Sequence, residues 1–566
     1  MYVDIVPNRN SRPAILIREA WREGKKIRKR TVANISDWPM EKVEALRRVL
    51  RGDYGAPVSE KQSFIIERSL PHGHVAAILG TIKKLGLDRL ISSKPCRERD
   101  LVVAMIAERL LHPCSKLATT RLWHTTTLAQ ELSVEDADED DLYSAMDWLY
   151  SRQSRIEKKL AKRHLAEGSR VFYDSTSSYY EGSSCPLAQF GHDRDGKKGK
   201  PIIVYGVLTD EEGRPVSVEV YPGSTGDPST VPDQVEKLKK RFGLGRVVLV
   251  GDRGMLAQTQ IDKLREYPGL GWISALRSGA IRELVEQGAI QPSLFDERNL
   301  AEIKSPEYPG ERLIVCYNPF LADERARKRE ELLLETEKAL ARIEKEVRRR
   351  RKKILKKEEI GLKVGKVINR FKVGKHFKIE IDDGSFSFAR DEEAIERERA
   401  LDGIYVIRTS EKEEELSAED AVRAYKGLSS VERLFRTLKG LDIRVRPIHH
   451  REPSRVRAHI FICLLAYYVE WHMRAALAPL LFEDECIDKN QNPVAPAKPS
   501  QQAKAKKQKR AATDGLPLHS FQTLIAELGT ICRNRCRFPG DKTLPPFHQV
   551  TEKTPLQAKA FDLLGL

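Results

Sequence analysis

An α/β fold built on one mixed sheet is what this sequence predicts, and three observations predict it. Three apolar, strand-like runs follow one another after Gly168: VFYD, PIIVYGVL and PVSVEVYP. Two more, RVVLVG and GWISAL, alternate with the amphipathic stretches VPDQVEKLKKRF and AQTQIDKLREY. Two of these runs lead into carboxylates, Asp174 and Asp252. A buried strand end tolerates a carboxylate only when it is paired, hydrogen-bonded or metal-bound.

The elements follow in order. Residues 1–62 alternate short apolar runs (AILI, RTVANI) with basic turns, and predict a small β-rich unit. Residues 63–167 read as helices, with Leu142, Met146, Leu149, Ile156 and Leu160 at helical spacing behind Asp140 and Asp141. This segment is a candidate DNA-binding domain. Residues 168–277 give the order β-β-β-α-β-α-β, that of a ribonuclease-H-like catalytic core, with a hairpin at DEEG. An insertion subdomain over 278–401 interrupts this core. It carries a long charged helix, about 322 to 358, in which Leu333, Leu340, Val347 and Ile354 recur every seven residues. The companion seam (Thr336, Ile343, Arg350) is poor, so only half a coiled-coil pattern is present. Its tail, VRRRRKKILKK, has eight cationic residues, which suit either a solvated face or a grip on phosphates. The core resumes over 402–482. Residues 483–514, rich in Pro, Ala, Gln and Lys, predict a disordered basic linker, and 515–566 a C-terminal unit.

Composition narrows the class of function. The 566 residues suit about three to five domains. A net charge of +17 favours a polyanionic partner, because Lys and Arg displace counterions from phosphate backbones. Eight dispersed cysteines without a CxxC pair suit a reducing cytoplasm and argue against a disulfide framework. Cys532 and Cys536 lie close together, but no second Cys/His pair accompanies them to make a zinc site. The apolar run 460–469 is too short to span a bilayer, and it predicts a buried helix and no membrane domain.

The chemistry rests on three acids. Asp174 ends a strand; its bland reading is an Asx-turn over Asp-Ser-Thr. Asp252 sits in VGDRGM, where Gly251 and Gly254 leave space and Arg253 is the bland salt-bridge partner. Glu432 lies in YKGLSSVERLFRTLK, where Arg436 is the bland i, i+4 partner. Tyr425, Glu432 and Lys439 are seven apart and share one helix face. Two strand-end carboxylates and one helical glutamate, brought together, can hold Mg²⁺ and clamp a phosphodiester.

With these residues in place, the chain resembles the DDE transposases of bacterial insertion sequences. The resemblance is to the branch with a Y-x2-R-x3-E-x6-K signature, the insertion-sequence-four type. Tyr425, Glu432 and Lys439 match it; Leu428 stands where the branch has Arg, leaving the phosphate contact to Arg433 or Arg436. Further likeness lies in YDSTSSYYEG, in 191–227 and in VLVGDRGM, covering residues 168–277 and 402–475. The resemblance implies a metal-binding triad of Asp174, Asp252 and Glu432 with two Mg²⁺ ions, or Mn²⁺. It implies DNA contacts from Tyr425, Arg433, Arg436 and Lys439. It also implies double-stranded DNA (transposon ends and target) as partner, a homodimer on that DNA, and a place at the bacterial nucleoid. The expected function is DNA cleavage and strand transfer at inverted repeats. A ribonuclease-H-like structure-specific nuclease and a catalytically silent DNA-binding derivative are the alternatives. Thr225 and Asp227 of the GSTGD turn, and His449 and His450, read as loop residues first and site residues second.

Overall fold

A computed structural model describes residues 1–8, 13–51, 64–291, 295–296, 298–350, 354–485, 491–496, 498–538 and 545–566. The chain divides into two compact units. One is Met1–Leu70 with Cys532–Glu552; the other is Pro71–Ile531 with Lys553–Leu566.

The smaller unit holds two three-stranded sheets. Tyr2–Val6, Ala14–Glu23 and Lys26–Asn34 form an antiparallel meander. The helix Met40–Leu50 covers it, closing a small core of Val3, Ile15, Ile35 and Val43. The other sheet joins Ile65–Pro71, Cys532–Arg537 and Phe547–Val550. The expected C-terminal unit is therefore not one piece: its strands serve this sheet, whereas its helices, Phe521–Gly529 and Pro555–Leu564, enter the core of the larger unit.

The larger unit is organised by an eight-stranded mixed sheet. Its strands are β1 (Arg170–Tyr179), β2 (Ile202–Thr209), β3 (Pro215–Pro222), β4 (Val247–Gly251), β5 (Leu270–Ala275), β6 (Leu300–Ile303), β7 (Arg312–Tyr317) and β8 (Ile404–Thr409). The order is β3-β2-β1-β4-β5-β8-β7-β6. β1, β4 and β5 run parallel, and every other neighbouring pair is antiparallel. The sequence order β-β-β-α-β-α-β is present. β6 and β7, assigned to the insertion from sequence, instead extend the same sheet: their alternating buried residues, Leu313 and Val315 among them, close a satellite cluster with Leu276 and Leu284.

Helices cover the sheet. In chain order the ones that matter are α1 (Arg97–Leu111), α2 (Glu139–His164), α3 (Pro319–Arg349), α4 (Lys357–Phe371), α5 (Ala418–Lys439) and α6 (Pro453–Leu477). Asp138 caps α2, accepting from the backbone N–H of Asp140 and Asp141, both at 3.0 Å. α2 packs on β3, α1 and α6. Glu157 of α2 is fully buried and accepts from the Val218 N–H at 3.1 Å and from Arg241 at 3.1 Å, so the helix is pinned to the sheet. The helical segment thus belongs to the main core. α6 contains the apolar run, and residues 460–469 of it are all buried.

The insertion has its own core. Leu333, Thr336, Leu340, Ile343 and Val347 of α3 are buried against α4 and the hairpin Phe377–Asp382/Ser385–Arg390. Both heptad seams are used, including the one that looked poor. α3 ends at Arg349, and Ile354 is exposed. Arg348 and Arg350 pair with Glu344 and Glu346 one turn back, as a solvated face does, while residues 351–353 of the basic tail lie outside the described residues. The subdomain leaves the sheet after Tyr317 and returns at Ile404, which are register partners on β7 and β8. The segment 483–514 is not without order: Ser500, held by Asp484, caps a helix Gln501–Lys509, and Lys506 donates to the Ala478 carbonyl at 3.0 Å. Residues 486–490 and 497 of that stretch, Cys486 with them, lie outside the described residues.

α5 lies across β1, β4, β5 and β8. Ala421, Ala424, Leu428, Val431, Phe435 and Leu438 recur at three- and four-residue spacing and form its buried stripe. Gly427 sets how closely it can lie: a Cβ there would meet the ring of Phe172, itself buried, at 2.6 Å. Gly427→Val is expected to lower the unfolding free energy by about 2 kcal/mol through overpacking. Gly361→Ala, in α4 with nothing within 4 Å of the added atom, is expected to raise it by about 0.5–1 kcal/mol. Paired thermal or denaturant melts of the two variants check both signs.

Candidate active site

The backbone brings two of the three acids side by side. β1 and β4 pair in parallel with Tyr173 opposite Gly251, so Asp174, which lies within β1 and does not end a strand as expected, stands abreast of Asp252, the residue that follows β4. Adjacent strands are about 4.8 Å apart, which brings the Asp252 charge near enough to act on the Asp174 carboxyl.

Each has local support. Asp174 Oδ1 accepts from the Ser175 N–H at 2.7 Å. Asp252 Oδ1 accepts from the N–H groups of Gly254 (3.0 Å) and Met255 (2.8 Å), which turn the chain around the carboxylate. Arg253 makes no ion pair with Asp252 among the described residues, so the bland reading of that pair is not realised. Burial pushes the Asp174 carboxyl up to about 7. The negative charges of Asp252 and Asp227 add to this, while the Ser175 hydrogen bond and the Arg194 charge oppose it.

Glu432 is exposed on α5, on the face it shares with half-buried Tyr425. Among the described ion pairs none joins it to Arg436. Tyr425 connects the two sides of the site. Burial pushes its phenol up to about 12, and the carboxylates of Asp252 and Glu432 push the same way, so the hydroxyl keeps its proton. The backbone therefore sets Asp174 beside Asp252, while Tyr425 shares its helix face with Glu432 and feels the charge of Asp252 and Glu432. Among the described residues, no three Asp, Glu, His or Cys side chains converge closely enough to hold a metal ion. The aspartate pair fits one hard cation: two adjacent carboxylate donors, with no cation paired to Asp252 among the described ion pairs and Asp174 driven toward protonation by burial.

The remaining expected contacts separate by exposure. Arg433 and Arg436 are exposed on α5 and pair with no carboxylate among the described residues. Lys439 is engaged inside the protein: its ammonium donates to the Ser177 carbonyl at 2.5 Å and to Asp195 at 2.9 Å. Leu428 is buried, which accounts for an apolar residue in the signature's Arg position.

Around the aspartates, sequence reasoning named Asp227 as a secondary candidate and missed Arg194 and Asp195. Arg194 donates to the Ser175 carbonyl and pairs with Asp227, whose other oxygen accepts from Ser175 Oγ at 2.6 Å. Asp195, its side chain only 1% exposed, receives Lys439, Arg446 and the Tyr179 N–H. The available signal was the charge-dense run GHDRDGKKGK, read as a turn.

Residues 166–469 match the family model described as the transposase DDE domain. This chain belongs to the DDE transposases. Its residues 3–59 match the model of the N-terminal domain of IS1634 family transposases. No curated protein matches this transposase in sequence. Among solved structures, piggyBac transposase in a synaptic complex with hairpin DNA is similar at 10% identity, over 80% of this chain and 76% of that one, with a TM-score of 0.34. Mos1 transposase in a paired-end complex with the left transposon end follows at 14% identity, 42% and 75% coverage, and a TM-score of 0.14. Neither superposition places a residue of this transposase.

The raised Asp174 carboxyl makes a stability prediction. Unfolded, it ionises near pH 3.8; folded, it holds its proton up to about 7. Between those values the native state binds more protons, so stability falls as pH rises through the window. Asp174→Asn is expected to flatten this fall. At about pH 8 without metal it should raise stability by about 1–2 kcal/mol, less than the full shift because the carboxyl is only half-buried. Thermal melts across pH in the presence of a chelator measure both.

Proposed function

We propose that this transposase cleaves and joins DNA at the inverted repeats of an insertion sequence, with Asp174, Asp252 and Glu432 as its metal-binding acids. The observation that carries the reading is the parallel pairing that sets Asp174 beside Asp252 beneath the helix bearing Glu432. All three lie inside the matched DDE segment. The order β3-β2-β1-β4-β5 supports a ribonuclease-H-like core, with β6–β8 and the insertion added to it. The spacing of Tyr425, Glu432 and Lys439 supports the insertion-sequence-four type of signature.

When bound, two Mg²⁺ ions supply activation of water or a DNA 3′-hydroxyl and stabilisation of the departing oxygen. The protein does the rest. Asp174 gives up its proton to serve as a ligand, which makes ion binding weaken as pH falls through about 7. Tyr425, protonated, is a hydrogen-bond donor beside the acids, suited to a phosphate oxygen. Arg433 and Arg436 supply exposed positive charge to the DNA backbone. Lys439 acts as a positioning residue, fixing the end of α5 to β1 through Ser177 and Asp195. A homodimer assembled on double-stranded DNA at the bacterial nucleoid completes the proposal.

Asp252→Asn and Glu432→Gln are each expected to lower Mg²⁺-dependent cleavage by about 100-fold or more while leaving DNA affinity within about threefold. Cleavage and gel-shift assays on the same preparations test this. Cleavage by Glu432→Gln within about tenfold of the parent would remove Glu432 from the proposed set.

A further inference from the structure

A cationic cavity of about 700 Å³ lies past the far end of β1 and takes no part in the chemistry proposed above. It is walled by α1, by the segment after it, by the start of α6 and by residues 444–452. The bridge between Tyr180 and Ile448 fixes this last segment to the end of β1. Two of its cations are buried: Lys116 is 4% exposed and Arg109 7%. Neither has a carboxylate partner among the described ion pairs. Arg109 donates only to backbone carbonyls, of Ile443, Arg444 and Cys114. Arg444 and Arg451 stand exposed at the rim, also without carboxylate partners, and Glu452 is the only acid in the lining.

Two buried, neighbouring basic groups without a counter-ion are costly to keep charged together. The strain is visible in Lys116, whose ammonium is pushed down to about 7 by burial first and by Arg109 second. Both histidines packed beside it, His450 and His459, are held neutral by burial and by the same two cations. His459 keeps its Nδ1 buried and unpartnered. Such a cavity has cationic donors in excess over its one carboxylate, Glu452, which is the complement of a phosphate. Arg446 links it to the site: it lines the cavity and also binds Asp195, the residue that holds Lys439.

We propose that this cavity grips a backbone phosphate of the DNA substrate, several nucleotides from the bond that is cut. The proposal rests on the transposase reading above. β1 alone separates Asp174 from Tyr179 by about 17 Å, or about five base-pair rises. A phosphate held here anchors the duplex at a second point and cancels the buried charge at the same time.

The test is Lys116→Met, which keeps the volume and removes the charge, with Arg451→Gln as a rim variant that leaves the interior intact. Without DNA, Lys116→Met should melt about 2 °C higher than the parent, because an unpaired buried charge has gone. Its affinity for a duplex of arbitrary sequence, measured without metal, should fall about tenfold. The slope of log affinity against log salt should shrink by about 0.9, one phosphate contact. Arg451→Gln should lose affinity in the same direction with an unchanged melting point. Unchanged affinity and salt slope in both variants would overturn the proposal. So would a parent protein stabilised by inorganic phosphate through Lys116 while DNA binding ignores the substitution, since that outcome assigns the cavity to a free anion. Parent protein that neither binds nor cuts DNA would instead strike the transposase reading itself.

Discussion

The parallel pairing of β1 with β4 is the constraint on which the rest of the site depends. It sets two carboxylates abreast in the middle of the sheet, where burial first and the Asp252 charge after it push the Asp174 carboxyl up. Everything nearby can be understood as managing that pair. Arg194 brings partial positive charge, Asp227 holds Arg194 in place, and the Gly254–Met255 turn gives Asp252 two backbone donors. α5 can lie directly over the pair because Gly427 leaves room for the ring of Phe172.

A second network ties the helix to the strand. Asp195 is buried and receives Lys439 from the end of α5, Arg446 from the segment after it, and the backbone of Tyr179 at the end of β1. One carboxylate thus fixes the end of β1 to the end of α5 and to the segment that follows it. A buried ion pair gains little net energy over an apolar replacement, but losing one partner is costly, which makes such a knot sensitive to position. Lys439 is held inside the protein by it, and the exposed charge on α5 falls to Arg433 and Arg436.

The parts legible in the sequence were those set by local periodicity. The five strands of the core came through because their apolar runs are long and bounded by Gly-rich turns, as in VVLVGDRG. α5 was legible because its stripe from Ala421 to Leu438 keeps helical spacing over five turns. The order β-β-β-α-β-α-β followed from these alone. What was hidden depended on partners far away in the chain. β6 and β7 are short, and only pairing with β8 makes them part of the sheet. Thr336 and Arg350 made one seam of α3 look unfit, yet Thr336 satisfies its hydroxyl on the Leu332 carbonyl and packs inward. The roles of Arg194 and Asp195 are invisible in GHDRDGKKGK because a charged run looks alike whether it meets water or a buried lysine. The helix Gln501–Lys509 was lost to composition, since Lys506 reaches a carbonyl that no local pattern announces.

The insertion leaves the sheet at Tyr317 and re-enters at Ile404, two residues that face each other across one rung of the ladder. Its stem is therefore closed by the host sheet whatever hangs beyond it. Loop-closure entropy grows only slowly with length, so a module mounted on such a stem can be resized or exchanged at small thermodynamic expense. With a hydrophobic cluster of its own, the segment between Tyr317 and Ile404 packs around side chains separate from those that support the aspartate pair.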